Sequence, residues 1–424
     1  MDEKLTLNSA NHQLIEENTF IDDGIVFGQY HGLHLTSHYQ PIFSLPHNRA
    51  VGAEALVRTQ NINKQPVSPV ELFNRASDED ETVFLDRLCR DVHLRNFSDF
   101  GDDNLWLFLN VNPTAIINRD KHGSFFQSLI EHYQFPAHRI VIEILESRIT
   151  NEETIFDALN YYRDMGCLIA IDDFGAGHSN FDRIWRLKPE IVKLDRSLIQ
   201  ETQTNPQARR ILPQLVNLIH ESGSLSLIEG IETEDEALVA IESETDFVQG
   251  YYFSRPASPA DFNLQPSVSI TDLFHRHYHH SNKLQNQRKT QIEQIRTHFQ
   301  SALWNLIKNE TLENAGKLLL HQESVQRIYL LNEEGTQVSK NLSGTDSEMD
   351  YDQRFEPLQQ VEQADWSRRS YFRQCMEDPA KVKISRPYLS IIDSSTCVTM
   401  SASFTNNDGL FVLCCDLQWE MLSQ

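Results

Sequence analysis

The 424-residue chain carries 61 acidic and 37 basic side chains, a formal charge of −24, and 40% of its residues are hydrophobic. This length suits a large barrel plus a smaller module, and the apolar content supports packed cores. The acidic excess argues against a general duplex nucleic acid or anionic-membrane surface, because both need surplus Lys and Arg; a phosphate ligand would need a local device such as metal ions.

No run of eighteen apolar residues and no basic-then-apolar N-terminus occurs, so neither a membrane span nor a signal peptide is expected. Cys89, Cys167, Cys375, Cys397, Cys414 and Cys415 lack CxxC spacing and read as reduced core thiols of a cytoplasmic protein.

Residues 1–28 are polar and acidic and form an N-terminal extension without an assigned role. His38–Leu45 and Ala50–Val57 read as strands joined by too few residues for a parallel crossover, so they predict an antiparallel hairpin. Ser68-Pro-Val-Glu71 has the N-cap, N1 and N3 residues of a helix start, and Leu85, Leu88 and Val92 lie at helical spacing. The strand Leu105–Asn110, a helix near Phe125–His132 and the strand Arg139–Ile144 follow. A capping box at Thr150–Glu153 opens a helix stopped at Gly166. Leu168-Ile-Ala-Ile-Asp-Asp-Phe-Gly-Ala-Gly177 then reads as a buried strand ending in an acid-bearing turn. Glu190–Leu194, Leu225–Ile228 and Asp246–Gln249 complete eight strands, six of them following helices. Alternating βα units of this number predict an α/β fold, a (β/α)8 TIM-like barrel with an antiparallel first hairpin, over residues 29–262; an open doubly wound sheet is the alternative.

The strand ends favour the barrel. Glu54, Asn110, Glu143, Asp172 with Asp173, Lys193 with Asp195, Glu229 and Gln249 fall at or near successive strand ends, and closure would converge them on one rim. Asp172 and Asp173 alone could merely cap the next helix, since Asp is a favoured N-cap. As part of the series they read differently. Glu54, Asn110, Glu143 and Asp172 offer only oxygen donors, a set suited to Mg²⁺ or Mn²⁺. Asp173 could serve a second ion, giving a two-metal site that activates water and neutralises charge on a phosphodiester. Lys193 would add positive charge, and Glu229 is the candidate to accept a proton from the attacking water.

Glu54-Ala-Leu-Val-Arg58 also resembles the signature of the EAL phosphodiesterases, which hydrolyse cyclic di-GMP to the linear dinucleotide pGpG. Tyr39-Gln-Pro-Ile42, Leu109-Asn-Val-Asn-Pro113, Ile142-Glu-Ile-Leu-Glu146, Asp172–Gly177, Lys193-Leu-Asp195, Glu229-Gly-Ile-Glu-Thr233 and Gln249-Gly-Tyr-Tyr-Phe253 resemble the family's segments in the same order. The resemblance implies metal ligation by Glu54, Asn110, Glu143, Asp172 and Asp173. It implies catalysis by Glu229, Lys193 and Glu54, with Lys193 contacting metal-bound water and phosphate. Arg58 would contact a substrate phosphate and Gln40 a guanine; Asp195 and Gln249 join them on the substrate side, Gln249 also near the hydrated metals. Glu146 would brace the loop after Asp173. Two positions depart from the family: Leu145 replaces a usual Thr, and Thr59 stands where an aromatic often follows the arginine. Neither removes a ligand or the base; a catalytically weak or silent cyclic di-GMP receptor is the alternative that Leu145 favours. No Gly-Gly-Asp/Glu-Glu-Phe run occurs, so synthesis of the dinucleotide is not expected.

Residues 263–314 form a mainly helical connecting segment in which Ile292, Ile295, Phe299, Leu303 and Leu306 make a heptad-like stripe. It reads either as a lever or seam of a homodimer or as a helix packed on its own C-terminal domain. His275 and His279 share a helical face and could bind a transition metal, though solvated surface histidines are the commoner case. Residues 315–424 predict an antiparallel sheet with a few helices, a smaller α+β domain that resembles PAS-like or Cache-like sensory modules. Trp366-Ser-Arg-Arg-Ser-Tyr-Phe372 resembles a Cache-type ligand segment, which implies a small-molecule ligand with Arg369 holding an anion and Trp366 and Tyr371 as walls. Simple surface packing and pairing would explain the same residues.

Overall fold

The computed structural model describes residues 13–98, 100, 104–112, 125–145, 152–177, 181–344, 361–379, 381–392, 395–419 and 421–423. The chain divides into two compact units, Met1–His277 and Tyr278–Gln424.

In the first unit, β1 (Thr19–Asp22), β2 (Ile25–Tyr30), β3 (Leu33–Ser44), β4 (Arg49–Gln60) and β5 (Pro66–Val67) precede a run of βα units. Its helices are α1 (Pro69–Phe73), α2 (Glu79–Ser98), α3 (Phe125–His132), α4 (Glu152–Met165), α5 (Asp182–Leu187), α6 (Arg196–Glu201), α7 (Pro206–Glu221) and α8 (Glu234–Glu242). The strands between them are β6 (Trp106–Asn110), β7 (Ile140–Leu145), β8 (Leu168–Phe174), β9 (Ile191–Leu194), β10 (Leu225–Ile228) and β11 (Phe247–Val248). Neighbours run in the order β3-β11-β10-β9-β8-β7-β6-β4, and β3 pairs with β4 to close the barrel. The expected eight strands and antiparallel first hairpin are all present: β3 is antiparallel to both β4 and β11, and the other pairings of the ring are parallel.

Side chains alternate across each strand, so one set fills the barrel and the other packs under the helices. Ile42, Phe108, Val141, Ala170, Ile191, Leu227 and Phe247 make the inner cluster. Val92 of α2, Leu159 of α4 and Val216 of α7 join the larger outer core. The segment read as an extension is partly built into this sheet, since β1 and β2 continue it outward from β3. Asn96 of α2 fixes β2 by accepting from the Val26 N–H and donating to its carbonyl, both at 2.8 Å. Thr150 and Asn151 of the expected capping box lie outside the described residues.

α9 (Ile270–Ile307) is continuous over 38 residues. Ile270 and Leu273 belong to the barrel unit's core, whereas Ile295, Phe299, Ala302 and Leu306 are buried in the second unit's core. The stripe thus packs on the chain's own C-terminal domain. That domain adds α10 (Leu312–Ala315), α11 (Lys317–Leu320), β12 (Val325–Asn332), α12 (Ser370–Glu377), β13 (Lys383–Ile384), β14 (Tyr388–Leu389), β15 (Thr396–Asn406) and β16 (Gly409–Gln418). Its antiparallel sheet runs β12-β16-β15-β13, with β14 also on β15, giving the expected smaller α+β domain. One face of the sheet packs on α9; Tyr329, Leu331, Val412 and Cys414 on the other meet α12.

Candidate active site at the barrel rim

Lys193 of β9 is the hub of the rim. Its ammonium, 1% exposed, lies 2.5 Å from Glu143 Oε1, 2.6 Å from Glu229 Oε1, 3.0 Å from Asp172 Oδ1 and 3.6 Å from Glu54 Oε2. Asn110 Nδ2 donates to Glu54 Oε1 at 2.9 Å and to Glu143 Oε2 at 3.0 Å. Gln249 Nε2 donates to Glu54 Oε2 at 2.9 Å and to Gln40 Oε1 at 3.3 Å, and Gln40 in turn donates to the Ser254 carbonyl. One network thus joins Gln40, Glu54, Asn110, Glu143, Asp172, Lys193, Glu229 and Gln249, one from each of the eight barrel strands or its end.

Asp173 enters through a break in strand regularity. Adjacent strand residues normally face opposite ways, but the β8–β9 register shifts between Ile171 and Phe174, and Asp173 has φ +57°. The left-handed residue at this bulge brings carboxylate oxygens of Asp172, Asp173 and Glu229 within 4.8 Å of one another. Among the described residues this is the one close grouping of three such side chains, and His275 and His279 form no comparable group. Gly250 allows a second close approach: a Cβ there would lie 2.1 Å from the Ile231 carbonyl oxygen. Ile231 N–H donates to the Gln249 carbonyl at 3.1 Å, which ties the Glu229 and Gln249 loops together.

The electrostatics identify what is missing from balance. Fully ionised, Glu54, Glu143, Asp172, Asp173 and Glu229 set five negative charges against the single ammonium of Lys193, an excess of four. Burial and then Glu54 push Glu143 well above the ordinary carboxylate range despite Lys193. Burial likewise raises Glu229, with Asp172 and Glu54 adding to it. Burial, Asp172 and Asp195 raise Asp173 to about 6. Burial opposes the charge on Lys193, but the surrounding carboxylates outweigh it and hold the lysine pKa well above normal. Two divalent cations would neutralise the excess, and the all-oxygen donor set suits Mg²⁺ or Mn²⁺. The residues present therefore fit a two-metal centre.

Arg58 lies on the same rim, donating to the Val57 carbonyl at 3.0 Å, and with Asn110 and Leu145 it lines a cavity of about 280 Å³. Leu145 closes β7 opposite Asp172 of β8, so the residue that departs from the family pattern adjoins a metal-ligand candidate. Asp195 caps α6, its Oδ1 accepting from Ser197 N–H at 2.9 Å, and its charge reaches Asp173. Thr59 is buried in β4. Glu146 lies outside the described residues.

Sequence reasoning missed the support beneath this rim. Asp86 of α2, buried, accepts from Asn112 N–H at 2.9 Å and pairs with Arg90, which donates to Tyr162 OH at 3.1 Å. The loop two residues beyond Asn110 is thereby anchored to a buried ion pair. The sequence signal was no more than Asp and Arg at i, i+4, a spacing that a solvated helix face shows equally. In the second unit, Trp366, Arg369 and Tyr371 do line one cavity, together with Tyr388 and Asp416.

The comparisons with known proteins agree with this geometry. A family model for the EAL domain matches residues 29–256, more than half of the chain, and one for an EAL-domain associated signalling protein domain matches residues 267–423. YkuI of Bacillus subtilis, an uncharacterized EAL-domain containing protein, is 28% identical over 347 residues, 79% of this chain and 82% of that protein. RocR of Pseudomonas aeruginosa, a cyclic di-GMP phosphodiesterase, is 28% identical over 233 residues, 53% of this chain and 58% of RocR. The match therefore spans less than two thirds of RocR, as it does of some other relatives. The crystal structure of Bacillus subtilis YkuI with substrate c-di-GMP and calcium aligns with a TM-score of 0.74 at 25% identity, covering 92% of this chain and 95% of that one. No helix of the described residues is long and apolar enough to cross a membrane. With its barrel matched across the whole acid-lined rim, this chain belongs to the EAL domain family, and the EAL-associated signalling domain follows the barrel.

Proposed function

We propose that this protein is a cyclic di-GMP phosphodiesterase that opens its substrate to pGpG in a metal-dependent reaction regulated by the C-terminal domain. The observation that carries the reading is five carboxylates gathered around the single ammonium of Lys193, an excess of four negative charges when all are ionised, which suits two divalent ions at a phosphodiester. Glu54, Asn110, Glu143, Asp172 and Asp173 would hold the ions, which supply charge neutralisation and an acidified water. Arg58 pairs with a substrate phosphate, and Gln40, steadied by Ser254 and Gln249, presents its amide to a guanine edge. Glu229 takes the proton as the water oxygen bonds to phosphorus. The bond from phosphorus to the ribose 3′ oxygen breaks, that oxygen takes a proton from solvent water, and Glu229 then releases its own proton to solvent. Lys193 keeps its charge beside the developing phosphorane.

Leu145 supports a second reading, a receptor that binds cyclic di-GMP without cleaving it, because it puts an apolar side chain beside Asp172 where the family usually has a hydroxyl. Chromatography of the purified chain with cyclic di-GMP and Mg²⁺, Mn²⁺ or chelator separates the two. Metal-dependent pGpG that falls at least about 100-fold in Glu54→Ala supports the enzyme. Intact dinucleotide under every condition, with binding still measurable by calorimetry, replaces it with the receptor.

A further inference from the structure

The contacts of α9 with the barrel carry an inference that rests on the cyclic di-GMP reading and deepens its substrate side. Gln40 is held by the turn that follows β11. Its Nε2 donates to the Ser254 carbonyl at 3.0 Å, and its neighbour Tyr39 exchanges backbone hydrogen bonds with Ala257 at 2.8 and 3.0 Å. Phe253 and Ser254 N–H groups close the turn on the Gly250 carbonyl. The turn is also tied outward on two sides. Tyr252 N–H donates at 3.0 Å to the carbonyl of Ile231, on the loop that carries Glu229. The Phe253 carbonyl accepts at 2.7 Å from the N–H of Ser267, just before α9 begins. Ile231, Phe253, Ile270 and Leu273 are all buried in the barrel unit's core.

At the surface above this packing three side chains form a chain. Arg276 of α9 has its Nε 3.1 Å from Glu234 Oε1, in the first turn of α8, and Tyr252 OH donates to Glu234 Oε2 at 3.5 Å. Burial and then the Glu234 charge raise the Tyr252 phenol, so it stays a donor at neutral pH. One carboxylate thus joins α9 to the turn that holds Gln40. Thr271, earlier on α9, makes a separate contact: it accepts at 2.7 Å from Nδ2 of Asn48, which precedes β4 and lies away from the rim.

We propose that Arg276 and Glu234 are positioning residues through which α9 sets the affinity for cyclic di-GMP: they hold Tyr252, which fixes the Ser254 carbonyl and so Gln40. The chain includes no metal-ligand candidate, so its effect falls on the dinucleotide and not on the ions. α9 runs on into the core of the C-terminal domain at Ile295 and Phe299, and a shift of the helix would reach the substrate by this contact.

Calorimetric titration of the full chain with cyclic di-GMP tests this, with Ca²⁺ as the ion that accompanies the dinucleotide in the YkuI crystal. The Arg276–Glu234 pair is about half exposed and therefore weak, so Arg276→Ala and Glu234→Ala should each lower affinity about threefold, and the double variant no further. Arg276→Lys, which keeps the charge, should retain most of it. On a Gln40→Ala background Arg276→Ala should have little further effect. Thr271→Val, which frees α9 from Asn48 only, should bind as the parent does, and Ca²⁺ affinity without dinucleotide should be unchanged in Arg276→Ala. Gln287→Gly with Lys289→Gly, both exposed, softens α9 between the two cores; it should shift affinity at least about twofold in the parent and not in Arg276→Ala.

Unchanged affinity in Arg276→Ala overturns the proposal, as does an equal loss in Thr271→Val or a full loss that persists on Gln40→Ala. Softened α9 that leaves the parent unchanged, or acts equally in Arg276→Ala, overturns α9 as the carrier. A parent chain that binds no cyclic di-GMP overturns the underlying reading, an outcome separate from the others because no variant is needed to see it.

Discussion

Asp173 carries two costs at once, a left-handed backbone and a carboxylate raised to about 6 by burial and its acidic neighbours. Asp is among the few side chains that tolerate this conformation, which explains why an acid rather than a bulkier donor stands at the bulge. Its folded pKa exceeds the unfolded one, so in metal-free protein its contribution to stability is present below about pH 4 and is lost as pH rises through about 6. A divalent ion binds only the ionised form and reverses that loss. The gap in urea midpoint between Mg²⁺ and chelator should therefore widen from pH 5 to pH 7, and Asp173→Asn, which keeps the backbone preference, should flatten much of it. A gap independent of pH across that window would show that Asp173 does not hold metal. Both adjacent acids were legible in the sequence as a site; the bulge was not, because register is a property of the partner strand.

At the scale of elements, every barrel strand could be read from apolar runs bounded by turn residues, since a parallel strand buried on both faces leaves a nearly continuous signature. The buried polar interior of α2 could not, because its charges look like a solvated face until their partners are known. Asp86→Ala removes the acceptor for Asn112 N–H and strands Arg90, which should cost about 3–5 kcal/mol and weaken metal binding by misplacing Asn110. Asp86→Asn retains an acceptor for Asn112 and should keep metal affinity within about threefold of the parent while still losing stability. Metal titration beside denaturation of both variants decides it; equal metal affinity in the alanine protein would detach α2 from the site. The Arg327–Asp416 pair was hidden for a related reason. Each charge sits alone in an apolar strand, and only the β12–β16 register sets them opposite one another.

For the whole molecule the charge of −24 acts on any anionic substrate before the site does. The cyclic dinucleotide of the proposed reaction, with two phosphates, would approach against that field, and Arg58 and the two cations would overcome it only locally. Raising ionic strength from about 10 to 150 mM at constant free Mg²⁺ should thus increase kcat/KM, on the order of a few-fold, where a basic enzyme would lose rate. A fall in rate over that range would mean that the local positive centre governs encounter. Closure of the barrel has a temporal side as well. Phe43 of β3 pairs with Val248 of β11, roughly two hundred residues later, and Gln40 and Glu54 meet Gln249 through the same seam. Such long-range pairing is slow and comes last as a chain leaves the ribosome. A nascent or stalled chain therefore holds every acid of the rim before it holds their arrangement, which is complete only when synthesis has passed the final strand.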